Sequence, residues 1–213
     1  MEHAALFREL FGNVFTGELL AEIEAGSLLM NLDSGETLLK AGKPVMGVPL
    51  MLSGAIRVSS VNEEGQELLL YYVQRGHTCP MSLTCFMTSQ LSSVNATVEE
   101  ASVCRVLPGP LVEALFLKHA AWKKFVMQTI LDGLTEMIRS MDEIAFKRMD
   151  ERLTGYLRQK SAITGSALIR LSHQQIADEL GTHRVVISRL LKKLETQKKL
   201  LLYRSEIRLL GSW

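Results

Sequence analysis

The sequence predicts an α+β chain made of an N-terminal antiparallel β-roll, one long helix and a C-terminal winged helix-turn-helix. Glycine-punctuated apolar segments fill the first half of the chain, and a stretch with helical periodicity follows them. The last third holds two closely spaced helical segments and two short apolar segments around a polar turn. Because the hydrophobic period changes at each step, we place the domain boundaries at 1–118, 119–147 and 148–213.

Short strands separated by turns characterise the first part. Glycines recur at positions 35, 42, 54, 65 and 76, and "NEEGQ" at 62–66 is a polar turn typical of a hairpin. No helical crossover pattern interrupts the strands, so we expect an antiparallel barrel or roll rather than a parallel sheet. The predicted strands are ETLLK, VPLMLS, AIRVSS, ELLLYYV, NATVEE and VCRVLP.

A helical period runs from Pro110 to about Lys147, broken only near His119 and Ala120. Apolar residues recur there at alternating steps of four and three, which is the pattern of a coiled-coil stripe. Such a stripe could cover the chain's own roll, but its length favours a partner helix. The predicted dimerisation residues are Met127, Leu131, Leu134, Ile138, Met141 and Ala145.

Composition and charge restrict the class of protein. The net charge of the 213 residues is +1, yet residues 148–213 carry 13 Lys and Arg against 6 Asp and Glu. This imbalance predicts that the C-terminal part meets a polyanion, although a solvated basic face remains an alternative on charge alone. The sequence has no apolar run of membrane length and no secretory signal. Its three cysteines, an odd number, do not suggest a secreted disulfide framework. We therefore expect a cytoplasmic protein with no membrane association.

"LSHQQIADELGTHRVVISRLLKKLE" at 171–195 predicts two helices joined by a tight turn. Ser172 and Thr182 are the predicted N-caps, and Gly181 occupies the turn. The second helix presents polar and basic side chains near its N-terminus, the end that enters a major groove in helix-turn-helix proteins. A helical hairpin without DNA binding is the alternative. The predicted DNA-binding residues are Ser172, Thr182, His183, Arg184, Val185, Ser188, Arg189 and Lys192.

With these segments in place, the whole chain resembles the cyclic-AMP receptor and fumarate-nitrate-reduction (CRP/FNR) family of bacterial transcription regulators. The resemblance implies a cyclic-nucleotide-binding-like roll, a homodimer, and a palindromic operator in double-stranded DNA with half-sites about one turn apart. RNA polymerase is a further expected partner. Val185 stands where most relatives have a glutamate that reads cytosine, so we expect a different half-site.

"RGHTCPMSLTCF" at 75–86 stands where the family's ligand cassette lies. His77 follows Gly76 in place of the family's glutamate, and Val94 and Asn95 replace its Arg-Ser pair, so cyclic AMP is not the expected effector. No cysteine precedes Cys79, which excludes the family's N-terminal iron–sulfur arrangement.

Three interpretations of this segment remain open. Cys79 and Cys85 could react as thiols, with His77 and Arg75 lowering a thiol pKa and no cofactor involved. Alternatively His77 and Cys79 could ligate haem, or both cysteines could be plain core residues, as we expect for Cys104. An enzyme using Cys79 and His77 is not expected, because no Asn or Asp that would orient the histidine is identifiable.

Overall fold

The computed structural model describes residues 2–62, 67–146, 148–204 and 206–211, with the side chains of residue 2 and of 142–146 outside the description. The chain divides into two compact units. Unit 1 comprises Met1–Val58 and Leu70–Ile138, and unit 2 comprises Ser59–Leu69 and Arg139–Trp213. No helix in the described part of the chain is both long and apolar enough to cross a bilayer.

Both units combine helices with an antiparallel sheet. In chain order the elements are α1 (Glu2–Phe11), α2 (Gly17–Gly26), β1 (Leu28–Leu32), β2 (Thr37–Leu39), β3 (Gly47–Val61), β4 (Glu67–Gln74), α3 (Pro80–Thr88), β5 (Asn95–Pro108), α4 (Gly109–Lys118), α5 (Ala120–Phe146), α6 (Met149–Thr164), β6 (Leu168–Ile169), α7 (His173–Glu179), α8 (Arg184–Thr196), β7 (Leu200–Tyr203) and β8 (Glu206–Leu209). The break predicted near His119 separates α4 from α5.

The sheet of the β-roll has the order β1-β5-β3-β4, and β2 also pairs with β5. Both β1 and β2 run antiparallel to β5, as predicted. Two predicted breaks between strands are wrong. VPLMLS and AIRVSS form one strand, β3, of 15 residues, and NATVEE and VCRVLP form one strand, β5, of 14 residues. Gly54 lies inside β3 with φ +74°, and a Cβ there would collide with Ser102. This glycine therefore permits close strand approach rather than ending a strand.

Unit 1 contains two apolar clusters. In the first, aromatic rings from the N-terminal segment pack against the start of α5, with the Phe15 and Phe125 centroids 5.0 Å apart. The second fills the interior of the roll and includes Cys79 and a fully buried Cys104. Cys104 is thus a core residue, as expected.

Unit 2 packs α6, α7 and α8 against an antiparallel sheet of order β6-β8-β7. The hairpin predicted near the end of the chain is formed by β7 and β8, with Leu200 opposite Leu209 and Tyr203 opposite Glu206. Three helices followed by this hairpin form the predicted winged helix-turn-helix.

Candidate nucleic-acid interface and sensor segment

A capping box starts α7. The Ser172 Oγ accepts a hydrogen bond from the Gln175 backbone N–H at 3.2 Å, and the Gln175 Oε1 accepts one from the Ser172 N–H at 2.8 Å. This reciprocal pair satisfies backbone donors that the first helical turn leaves free. The predicted N-cap role of Ser172 is confirmed, and its hydroxyl is committed to the helix.

The turn between α7 and α8 begins with a Schellman motif. The Thr182 N–H donates to the Ala177 carbonyl at 2.9 Å, and the Gly181 N–H donates to the Asp178 carbonyl at 3.0 Å. Gly181 has φ +61°, a conformation that glycine adopts without steric cost. The geometry of this turn sets where α8 starts.

The N-cap of α8 is His183, not Thr182. Thr182 still belongs to the end of α7, because its backbone N–H is used there. The first hydrogen bonds of α8 run from Val186 and Ile187 to the His183 carbonyl. The prediction that Thr182 caps α8 was therefore wrong by one residue, and no side chain caps this helix.

One face of α8 is buried and the other carries the predicted DNA-binding residues. Ile187, Leu191 and Leu194 are buried against the rest of unit 2. Arg184 and Arg189 are exposed, and the Val185 side chain is 78% exposed. Exposed guanidinium groups in the first two turns of a helix can bind phosphates and the acceptor edge of guanine.

The remaining predicted contacts differ in their surroundings. Lys192 is exposed and its Nζ lies 2.6 Å from a carboxylate oxygen of Glu195. Ser188 is half-buried, and its Oγ lies 2.9 Å from the Nδ1 of His173. His183 is exposed and Thr182 is half-buried. All eight predicted residues thus lie on α8, its preceding turn or the N-cap of α7.

A buried polar network that the sequence did not reveal anchors α7 to α6. The Tyr156 hydroxyl donates to the Glu179 Oε2 at 2.7 Å, and the Lys160 Nζ lies 3.8 Å from the same oxygen. The Arg152 guanidinium donates to the Leu180 carbonyl at 2.7 Å. Because a buried charge without its partner is costly, these contacts hold the first helix of the motif in a defined position.

The stripe predicted along α5 is exposed. Its described members, which are apolar and more than half exposed, are Met127, Leu131, Leu134, Ile138 and Met141. The side chain of Ala145, the sixth predicted member, lies outside the described residues. Exposed apolar residues in a continuous stripe of this kind mark an interaction surface.

Most of the sensor segment is helical. Residues Pro80–Thr88 form α3, with Cys79 as N-cap and Pro80 in the first turn. Pro in the first turn suits a helix, since its missing N–H is not needed there. Both cysteine side chains are buried and unbridged, whereas His77 is exposed.

Cys79 lies in a buried environment. Its side chain is 1% exposed within the roll interior, where Tyr71 and Val73 belong to the same cluster. Burial raises the pKa of the Cys79 thiol above its usual value, so the neutral thiol dominates near pH 7. Burial likewise raises the pKa of Tyr71. The prediction that His77 and Arg75 activate a thiol receives no support at Cys79.

Helix α3 also separates the two cysteines. Six residues of helix correspond to an axial rise of about 9 Å, whereas a disulfide needs Cα atoms within about 7 Å. The Cys85 Sγ instead donates to the Leu91 carbonyl at 3.7 Å. A bridge between Cys79 and Cys85 therefore requires α3 to unwind.

The residues at this segment do not fit a haem held by both His77 and Cys79, or a cyclic nucleotide. His77 is exposed while Cys79 is buried with a raised pKa, and a two-residue link spans at most about 7 Å, too short for the two side chains to bind opposite faces of one haem. Val94 is buried, and the Asn95 Oδ1 accepts from the Ala41 N–H at 2.9 Å. Neither supplies the cation that a cyclic phosphate needs.

Two family models match this chain. A cyclic nucleotide-binding domain matches residues 29–119, and a Crp-like helix-turn-helix domain matches residues 151–210. The chain belongs to the CRP/FNR family of transcription regulators. The resemblance seen in the glycine rhythm and in "HRVVISRLLKKLE" is thereby confirmed.

Similar proteins extend over almost the whole chain. The global nitrogen regulator of Synechococcus elongatus is 23% identical over 211 residues, covering 95% of this chain and 90% of that protein. A solved CRP/FNR-family regulator from Eubacterium rectale has TM-score 0.83 and 22% identity, covering 94% of this chain and 93% of that one. The c-di-GMP responsive regulator CLP of Xanthomonas campestris has TM-score 0.76 and 18% identity, covering 92% and 99%. At these identities the structures confirm the fold alone.

Proposed function

We propose that this family member is a cytoplasmic homodimer that binds a palindromic operator through α8 and regulates transcription with RNA polymerase, rather than catalysing a reaction. The exposed cationic face of α8 carries the proposal, because the exposed Arg184 and Arg189 lie in the first two turns of α8, whose start is set by the Schellman motif of α7. The basic excess of residues 148–213 adds a favourable field for DNA.

The exposed stripe of α5 supports the dimer. Five apolar side chains at coiled-coil spacing remain in water in a single chain, and burying them against a second copy would release about 25 cal/mol for each Å² removed from water. A symmetric pair of helices presents the same residues on both sides, as a twofold interface requires. The occupant we propose is therefore a second copy of this chain.

Selection from a random duplex library should test operator binding. We expect the purified protein to enrich sequences with two inverted half-sites whose centres are about 10 base pairs apart. The enriched duplex should bind at least 1,000-fold more tightly than unrelated DNA at physiological salt. Enrichment of a single half-site, or no enrichment at all, would remove the proposal.

We further propose that the signal reaches the roll through the thiols of Cys79 and Cys85. Two thiols forming a disulfide release two protons and two electrons, and hydrogen peroxide accepts them and is reduced to water. Because this bridge unwinds α3, oxidation should couple thiol chemistry to a change of helix structure. The raised pKa of Cys79 makes the reaction slow near neutrality and faster as pH rises towards that pKa.

Peroxide or polysulfide should accordingly change the operator affinity of the wild type by about 5- to 150-fold, the range of ordinary allosteric coupling. Cys79→Ser and Cys85→Ser should each abolish the change. Cys104 also lies in the core, and Cys104→Ser should leave the change intact. Amide exchange in α3 should accelerate on oxidation. An unchanged response in the Cys79/Cys85 double serine variant would leave both cysteines as packing residues and the effector elsewhere.

A further inference from the structure

His173 and Ser188 are joined across the helix-turn-helix. The Nδ1 of His173, the first residue of α7, lies 2.9 Å from the Oγ of Ser188 in the second turn of α8. Both side chains are half-buried, so each keeps one side accessible while the hydrogen bond is partly shielded from water. Ser188 is a predicted DNA contact, whereas nothing in the sequence pattern singles out His173.

The position of the ring proton decides which partner donates. Burial, with a smaller contribution from the Arg184 guanidinium, lowers the pKa of His173, so its ring is neutral at physiological pH. Arg184 precedes Ser188 by one helical turn and therefore lies on the same side of α8. With the ring proton on Nε2, the lone pair of Nδ1 faces the Ser188 hydroxyl. Ser188 then donates its hydroxyl proton to Nδ1.

We propose that His173 and Ser188 form one base-reading unit, in which His173 holds the Ser188 proton and leaves the Ser188 oxygen as an acceptor. This inference rests on the proposed function, since it assigns a specificity to the same DNA-binding face. A free serine hydroxyl serves as donor or acceptor and discriminates poorly between base edges. With its proton committed, Ser188 selects an exocyclic amino group, that of cytosine N4 or adenine N6. His173 is thus a positioning residue for specificity.

The test uses the full-length protein and the operator enriched from the random library. Each base pair of one half-site is varied in turn, and affinities are measured for wild type, His173→Ala, Ser188→Ala and the double variant. At one amino-bearing position the wild type should discriminate by about 5- to 20-fold, and all three variants should lose that discrimination equally. Gln174→Ala, the exposed neighbour of His173, is the control and should keep it.

Base analogues distinguish reading from simple structural support. Replacing the adenine or cytosine at that position by purine or 2-pyrimidinone, which lack the amino group, should weaken wild type to the level of Ser188→Ala. The Ser188→Ala variant should not respond to the analogue. A structural role for His173 would instead weaken binding to every sequence alike, and His173→Asn is measured beside His173→Ala to exclude a folding defect.

Three outcomes would contradict the proposal that His173 and Ser188 read a base together. His173→Ala could keep full discrimination, the double variant could lose discrimination at two separate positions, or the preferred base could present a carbonyl acceptor at that position. Failure of wild type to bind any operator would instead remove the proposed function itself, which separates the two failures.

Discussion

Leu134→Glu and Ile138→Glu should each convert the dimer to monomers and reduce operator affinity by about 100-fold or more. Both side chains are more than half exposed in one chain, so the substitutions do not disturb the core of either unit. In the dimer they would place like charges opposite each other in an apolar interface, which opposes association. A monomer also loses the effective concentration that makes binding of the second half-site intramolecular.

Light scattering gives the oligomeric state, and gel retardation on the two-half-site duplex gives the affinity. Gln128→Glu is the matched control, because Gln128 is exposed on the same helix about a quarter turn from the stripe. It should stay dimeric and bind normally. A monomeric wild type, or dimers of both stripe variants, would contradict the proposed interface.

Arg184→Ala and Arg189→Ala should each weaken specific binding by about 1 to 3 kcal/mol, which is roughly 5- to 150-fold, and relax the preference at one base pair. Both arginine side chains are exposed in the first two turns of α8, so their loss should not affect folding. Titration of operator variants at fixed salt measures the effect. Retention of both affinity and preference in the two variants would contradict the placement of the recognition helix.

Lys192→Ala and Lys193→Ala test the phosphate contacts, with Lys193→Ala as the matched control. Lys192 lies on the proposed DNA face, and its loss should weaken all sequences similarly and reduce the salt slope by about 1. Lys193 points to α6, where its Nζ lies 3.5 Å from Asp150. Its substitution should change neither affinity nor salt slope.

Local patterns were enough to predict the helix-turn-helix domain. Ser172, Gly181 and the apolar spacing of α8 act within a few residues of each other, so capping, positive φ and amphipathicity are readable without tertiary context. The stripe of α5 was readable for the same reason. The one-residue error at Thr182 arose because the Schellman motif at the end of α7 uses its N–H.

Tertiary structure decided the features that depend on distant partners. Gly54 could not be recognised as a strand residue from sequence, because its role is to admit Ser102 of a strand almost fifty positions away. The short apolar segment of α3 has no clear period, and the burial of Cys79 that raises its pKa comes from residues of other elements.

The contact between His173 and Ser188 also depends on tertiary structure. Its position in "LSHQQ" is simply that of the residue after the predicted N-cap, and its partner Ser188 lies 15 residues later on another helix. The sequence by itself determined the order of roll, long helix and winged helix-turn-helix, because period and turn residues act locally. Only the packing of α7 against α8 decided which hydroxyl of the DNA-binding face is held by a histidine, since a hydrogen bond depends on distance in space rather than along the chain.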